Sequence, residues 1–135
     1  MKALILAAGY ATRLYPLTKE YPKPLLPVAG RPIADYIVER IYKTKAIKEI
    51  IVITNERFYK NFLLWSSDIR KNISLPIKVL NDGTQTEKDR LGAIGNISFA
   101  ITKASVNEDI LVVAGDNLFE DDLSGFLKFA LSKSP

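Results

Sequence analysis

Three short stretches carry side chains suited to phosphate. Ala7-Ala8-Gly9-Tyr10-Ala11-Thr12-Arg13-Leu14 follows an apolar run as a small-residue turn. A turn of that kind exposes backbone N–H groups to an anion, and it brings Arg13 beside them. It is neither a Walker A loop nor a three-glycine dinucleotide fingerprint. In Tyr21-Pro22-Lys23-Pro24-Leu25-Leu26-Pro27-Val28, prolines fix the backbone on both sides of Lys23 and lower the entropy cost of holding its ammonium in place. Asp116 follows the apolar run Ile110–Ala114 through Gly115, where one carboxylate can hold Mg²⁺ against phosphate oxygens. Each stretch has a plainer reading: a surface turn with an incidental arginine, a stiff loop with a solvated lysine, and a helix-capping aspartate.

A fourth stretch, Asn81 to Gly95, joins a polar loop to a helix expected to begin near Asp89. Gly92 then falls in the first helical turn, where its small size lets a planar ring lie against the backbone. The alternative is a polar loop followed by two helix-packing glycines.

Composition narrows the chemistry further. The 135 residues contain no Cys and no His, which excludes structural zinc, disulfides and imidazole- or thiol-based nucleophilic triads. What remains is carboxylates, Lys, Arg, hydroxyls, backbone amides and a hard cation bound by oxygen. Nineteen Lys and Arg against fifteen Asp and Glu give a net charge of +4, which suits anionic small molecules as readily as nucleic acid. No basic stripe with interleaved aromatics marks a nucleic-acid surface, so no nucleic-acid partner is expected. No apolar run approaches the roughly 18 to 20 residues of a membrane span, so no membrane partner is expected either. Met1 to Gly9 imitates a short signal peptide but reads better as a buried strand. A cytoplasmic setting follows from these expectations.

Elements that would position these side chains are legible from periodicity. Ala3 to Ala7, Glu49 to Thr54, Ile77 to Leu80 and Asp109 to Ala114 read as strands buried on both faces. Helical spacing appears in Ile33/Ile37/Ile41, Phe58/Phe62/Trp65/Ile69, Leu91/Ile94/Ile97/Ile101 and Leu123/Leu127/Leu131. Strands alternating with helices predict an α/β fold with a mainly parallel sheet, in three α/β/α layers. The apolar helices are expected to cover both sheet faces and leave no surplus apolar face, though an open sheet edge could pair two copies into a homo-oligomer. Ala8 to Arg31 and Asn81 to Asp89 stand out as long connections, and ligands of such sheets bind at the carboxyl ends of the strands.

Taken together and in order, Leu6 to Leu14, Pro22-Lys23-Pro24-Leu25-Leu26-Pro27-Val28 and Gly115-Asp116 resemble the nucleotidyltransferases that activate sugar phosphates, the glucose-1-phosphate thymidylyltransferase type among them. The resemblance runs the length of the chain and implies a Rossmann-like fold of the nucleotide-diphospho-sugar transferase type. It further implies a nucleoside triphosphate and a sugar phosphate as partners, Mg²⁺ as cofactor, and a nucleotide-sugar and pyrophosphate as products. By the same resemblance Ala8, Gly9, Thr12 and Arg13 bind the nucleotide, Arg13 and Lys23 are catalytic, Asp116 ligates the metal, and the segment around Gly92 meets the base.

The chain departs from the family pattern in three places. Ala11 stands where a second glycine is usual. The base-reading Gln or Glu ahead of Gly92 has two candidates, Gln85 and Glu87, of which Gln85 is taken as nucleotide-binding by the resemblance. Family members also run well beyond this length, and their later part supplies sugar contacts and a second metal-binding carboxylate. Residues 1–135 are therefore expected to be the N-terminal nucleotide-binding part of a longer nucleotidyltransferase domain. The alternative is a non-catalytic nucleotide-binding or regulatory module.

Overall fold

The computed structural model describes residues 1–133, so the last two positions of the expected 1–135 unit lie outside the described residues. Among the described residues six strands occur in chain order: β1 (Lys2–Leu6), β2 (Pro27–Val28), β3 (Arg31–Pro32), β4 (Ile50–Thr54), β5 (Ile77–Asn81) and β6 (Ile110–Ala114). Between and after them lie the helices α1 (Ile33–Lys43), α2 (Tyr59–Ile69), α3 (Gly92–Lys103) and α4 (Leu123–Ser132).

Four strands form one parallel sheet in the order β5-β4-β1-β6. From β1 the chain steps outward twice on one side, to β4 and β5, then crosses to the other side for β6. The carboxyl ends of β1 and β6 therefore flank the point where the winding reverses, the place where open α/β sheets leave a crevice for a ligand.

Alternation along the strands divides the core in two. Ala3, Ile5, Ile50, Val52, Ile77 and Leu111 face one side and pack against α1, α2 and α4, through side chains such as Ile37, Ile41, Phe62, Trp65 and Leu127. Leu4, Ile51, Ile53 and Leu80 face the other side, where Ala100 of α3 packs on them. The expected three layers are present, and Phe58, Phe62 and Trp65 are core as their spacing predicts.

Two expectations need correction. The polar loop does not run straight into a helix near Asp89: Glu87–Asp89 form a separate 3₁₀ turn, and α3 begins at Gly92, whose φ of +74° would strain any residue with a Cβ. The apolar face of α3 is also not the buried one. Asn96 and Ala100 are buried, Ile97 is partly buried, and Leu91, Ile94 and Ile101 are exposed, Ile94 by 79%. A single helix about 10 Å wide spans roughly two strands at 4.8 Å spacing, so α3 leaves Val112 of the edge strand β6 exposed on that face. Together with Phe126 and Phe129 of α4, 63% exposed in the latter case, these residues overturn the expectation of no surplus apolar face.

Ala29 and Gly30 join β2 to β3 with φ values of 50° and 80°, the mirror-image turn that matches hairpin twist. The hairpin delivers Pro32 as the N-cap of α1.

Candidate functional site

Two long connections meet over the carboxyl ends of β1 and β6 and enclose a cavity of about 720 Å³. Its wall begins with Leu6 to Leu14, then takes Lys23 and Pro24, Glu87, Arg90, Gly92, Ala93 and Asn96, and closes with Ala114 and Asp116.

Buried polar side chains hold the first loop. Asn55, fully buried at the end of β4, donates from Nδ2 to the Ala8 carbonyl at 3.1 Å and accepts the Phe58 N–H at 3.1 Å. Tyr10 is tucked beneath the loop with its ring against Phe58. Thr84 gives its hydroxyl proton to Asp82 Oδ1 at 2.7 Å, which leaves its oxygen to accept from the Tyr10 hydroxyl at 3.3 Å. Burial pushes the Tyr10 phenol above its ordinary value, consistent with a protonated donor. The Ala11 carbonyl accepts from the buried Thr18 hydroxyl at 2.7 Å. Ala11 itself has φ 47° and ψ 44°, the left-handed conformation that glycine adopts most easily. Alanine here takes a conformation in which a Cβ is strained and glycine is not.

With its carbonyls so anchored, the loop presents exposed Gly9 and a 3₁₀ turn, Thr12–Leu14, to the cavity. A Cβ built on Gly9 meets nothing within 4 Å, so its bareness is not a packing requirement. Arg13 is exposed and makes no ion pair among the described residues.

Lys23 sits in a second 3₁₀ turn between buried Pro22 and Pro24, with Leu25 in the core and the Lys23 carbonyl accepting the Leu26 N–H at 3.0 Å. Pro-Lys-Pro is therefore a buried brace with one side chain left outside it. From there Lys23 Nζ reaches Asp116 Oδ2 at 2.9 Å, joining two elements 93 residues apart. Both side chains keep solvent access, 34% for Lys23 and 42% for Asp116, so the pair is worth at most about 1 kcal/mol to the fold. It keeps two charges poised while costing little to separate.

Asp116 owes its position to Gly115. The Gly115 N–H donates to the Leu6 carbonyl at 2.8 Å, and a Cβ there would stand 2.7 Å from the same oxygen, 3.2 Å from Ile5 Cγ2 and 3.3 Å from Ala7 Cβ. Only glycine permits β6 to turn so close over β1.

The far wall comes from the second connection. Thr86 and Asp89 cap each other across the Glu87–Asp89 turn, which holds the Asp89 carboxyl below the usual range chiefly through the Thr86 hydroxyl and then the Gln85 and Thr86 amides. This cap leaves Gln85 exposed and outside the cavity lining, whereas Glu87 lies within it. The Glu87 carboxylate accepts from Thr12 Oγ1 at 3.4 Å and pairs with Arg90 at 3.0 Å, linking the two connections across the mouth.

Ala8, Gly9, Thr12, Arg13, Lys23, Gly92 and Asp116, distant in sequence, thus share one cavity. Arg90 and Asn96 also line the cavity, though neither belongs to a recognisable motif. Asn96 carried a signal nonetheless: Gly92, Asn96 and Ala100 share helical spacing, which puts a polar residue on the buried face of α3.

Residues 2–135 match the nucleotidyl transferase family. The bifunctional protein GlmU of Methanocaldococcus jannaschii is 37% identical over 129 residues, 96% of this chain and 28% of that protein. A bifunctional sugar-1-phosphate nucleotidylyltransferase/acetyltransferase of Sulfurisphaera tokodaii is 32% identical over 125 residues, 90% of this chain and 26% of that protein. Among solved structures, UDP-glucose pyrophosphorylase complexed with UDP-glucose has a TM-score of 0.78 at 20% identity, covering 97% of this chain and 53% of that one, a likeness of fold. The chain spans about a quarter of the length of these curated relatives and about half of that solved structure.

Proposed function

The chain belongs to the nucleotidyl transferase family, and on that premise we propose that its cavity takes part in joining a nucleoside triphosphate to a sugar phosphate, with release of pyrophosphate. The observation that carries this reading is the convergence of Lys23 and Asp116, 2.9 Å apart, on the same cavity as the Gly9–Arg13 loop. Polyphosphate is the ligand class for which exposed amides, an unpaired guanidinium, a braced ammonium and a carboxylate are jointly suited.

The chemistry needs no His or Cys. A phosphate monoester loses its second proton with a pKa of roughly 6, so a sugar phosphate arrives already ionised at neutral pH. One of its oxygens attacks the α-phosphorus, the bond from that phosphorus to the bridging α–β oxygen breaks, and pyrophosphate departs with the electron pair. The protein's work is alignment and neutralisation of spreading negative charge.

In this reading the Ala8–Thr12 loop and Arg13 hold the triphosphate, and Lys23 lies against the phosphate under attack. Glu87, Arg90 and Gly92 face the nucleoside. Asp116 would hold Mg²⁺. Mg²⁺ takes one or two carboxylates and completes its shell with phosphate oxygens and water, so the Asp116 carboxylate on the cavity wall would serve as its protein ligand. When bound, that ion supplies further charge neutralisation at the phosphates.

Pyrophosphate release tests the proposal. The protein is mixed with each of the common nucleoside triphosphates, Mg²⁺ and a series of sugar 1-phosphates. Release that requires both substrates supports the reaction. Nucleotide binding without release supports the alternative of a binding module, and absence of nucleotide binding refutes both.

A further inference from the structure

Asn96 is 7% exposed, yet its side chain makes no hydrogen bond among the described residues, and its Oδ1 is buried without a partner. It lies one turn beyond Gly92 on α3 and lines the cavity beside Leu6, Ala93 and Ala114. A buried amide left unpaired weakens the fold, whereas an apolar side chain of similar size would not. Fixed in a helix rather than a loop, Asn96 holds a rigid place on the cavity wall, where rotation of its amide would bring the buried Oδ1 to a ligand.

Its surroundings indicate what it would meet. Glu87, Arg90 and Gly92 are exposed members of the cavity lining and offer edge groups to a planar base. Leu6, Ala93 and Ala114, small or aliphatic, line the same cavity as Asn96, and in mainly apolar lining a few placed polar groups fix ligand orientation. An amide both donates and accepts, as a hydroxyl does, and it carries no charge that would favour a phosphate. Apolar surface with one such group fits the face of a sugar ring and one of its hydroxyls.

We propose that Asn96 is a specificity contact for the sugar of the phosphate-bearing acceptor. This inference rests on the nucleotidyl-transfer reading and deepens it. The test compares wild type with Asn96→Leu, which replaces the amide with an apolar group, and with Asn96→Ala, which removes it without crowding should the leucine variant fail to fold. Each protein is melted without ligand, then titrated with glucose 1-phosphate, mannose 1-phosphate, N-acetylglucosamine 1-phosphate, inorganic phosphate and the nucleoside triphosphates.

The expected result is a higher melting temperature for Asn96→Leu, loss of about 3- to 10-fold in the preference for a sugar 1-phosphate over inorganic phosphate, and unchanged triphosphate affinity. The contact is overturned if the variants keep the wild-type preference, if triphosphate affinity falls instead, or if wild type prefers no sugar 1-phosphate over phosphate. Triphosphate binding that survives while sugar preference ignores Asn96 would reject this contact alone, whereas absence of triphosphate binding in wild type would reject the reading beneath it.

Discussion

Gly9 and Gly115 flank the same cavity, and the structure assigns them opposite reasons for being glycine. At Gly115 a methyl group would press on the Leu6 carbonyl at 2.7 Å, on backbone locked into the sheet by the β1–β6 pairing of Leu6 with Ala114. Neither side can give without parting the strand tips, so Gly115→Ala should cost about 1–3 kcal/mol as overpacking, with the 2.8 Å bond to Leu6 weakened besides. For a chain of this size each kcal/mol moves Tm by roughly 3–5 °C. At Gly9 the methyl group meets no protein atom and the backbone needs no left-handed φ. Gly9→Ala should therefore be neutral or raise stability by about 0.4–1 kcal/mol, through the unfolded chain alone. Its cost would fall on the ligand: the amide N–H is kept, but the methyl group would hold a phosphate off the backbone, and one hydrogen bond to a charged phosphate lost in that way weakens affinity roughly 10- to 150-fold. Thermal melts and calorimetric titration with a nucleoside triphosphate and Mg²⁺ measure both quantities. The reasoning is refuted if Gly9→Ala binds as wild type does, or if Gly115→Ala melts where wild type melts.

Further consequences concern charge and backbone. Lys23→Ala should shift stability by no more than about 1 kcal/mol, because its ion pair is solvated, and should lower turnover by a few orders of magnitude; equal turnover in the two proteins would remove Lys23 from the mechanism. Ala11→Gly relieves a left-handed alanine, part of the gain returning as unfolded-chain entropy, so denaturant titration should find a net stabilisation of up to about 1 kcal/mol. Hydrogen bonds from the Met1 ammonium, then from Lys48, hold Glu108 at about 2, below its ordinary 4.5. A depressed carboxyl stabilises the fold above its unfolded value and loses that effect as pH falls through the folded one. Wild type should thus melt above Glu108→Gln at neutral pH, with the gap closing between about pH 4.5 and 2; a gap independent of pH would contradict the assignment.

Much of the site could be read from the chain because its parts are local. A run of branched aliphatics ending in Gly9 or in Gly115-Asp116 specifies both a buried strand and what stands at its tip, and prolines around Lys23 stiffen that loop wherever the loop lies. Relations between elements were less legible. Periodicity in α3 identifies a helix but not its partner, and it favoured Ile94 for the core where the sheet in fact takes Asn96 and Ala100. Gln85 and Glu87 were equivalent by spacing, and the mutual cap of Thr86 and Asp89 separates them. Asn55 and Thr18, which fix the carbonyls of Ala8 and Ala11, have no motif to announce them, since each acts on a backbone carbonyl that any residue carries, 47 positions away for Asn55 and seven for Thr18.

The claim on which the rest depends is that three separated stretches form one site for polyphosphate and a divalent cation. Amide NMR with a nucleoside triphosphate and Mn²⁺ in place of Mg²⁺ tests it most directly, because the paramagnetic ion broadens signals close to it. Broadening centred on Asp116 and reaching Gly9 and Lys23, abolished by Asp116→Ala, is the predicted result. Broadening centred elsewhere, for instance among Asp35, Asp68 and Asn72 in the smaller cavity beside Trp65, would contradict the account.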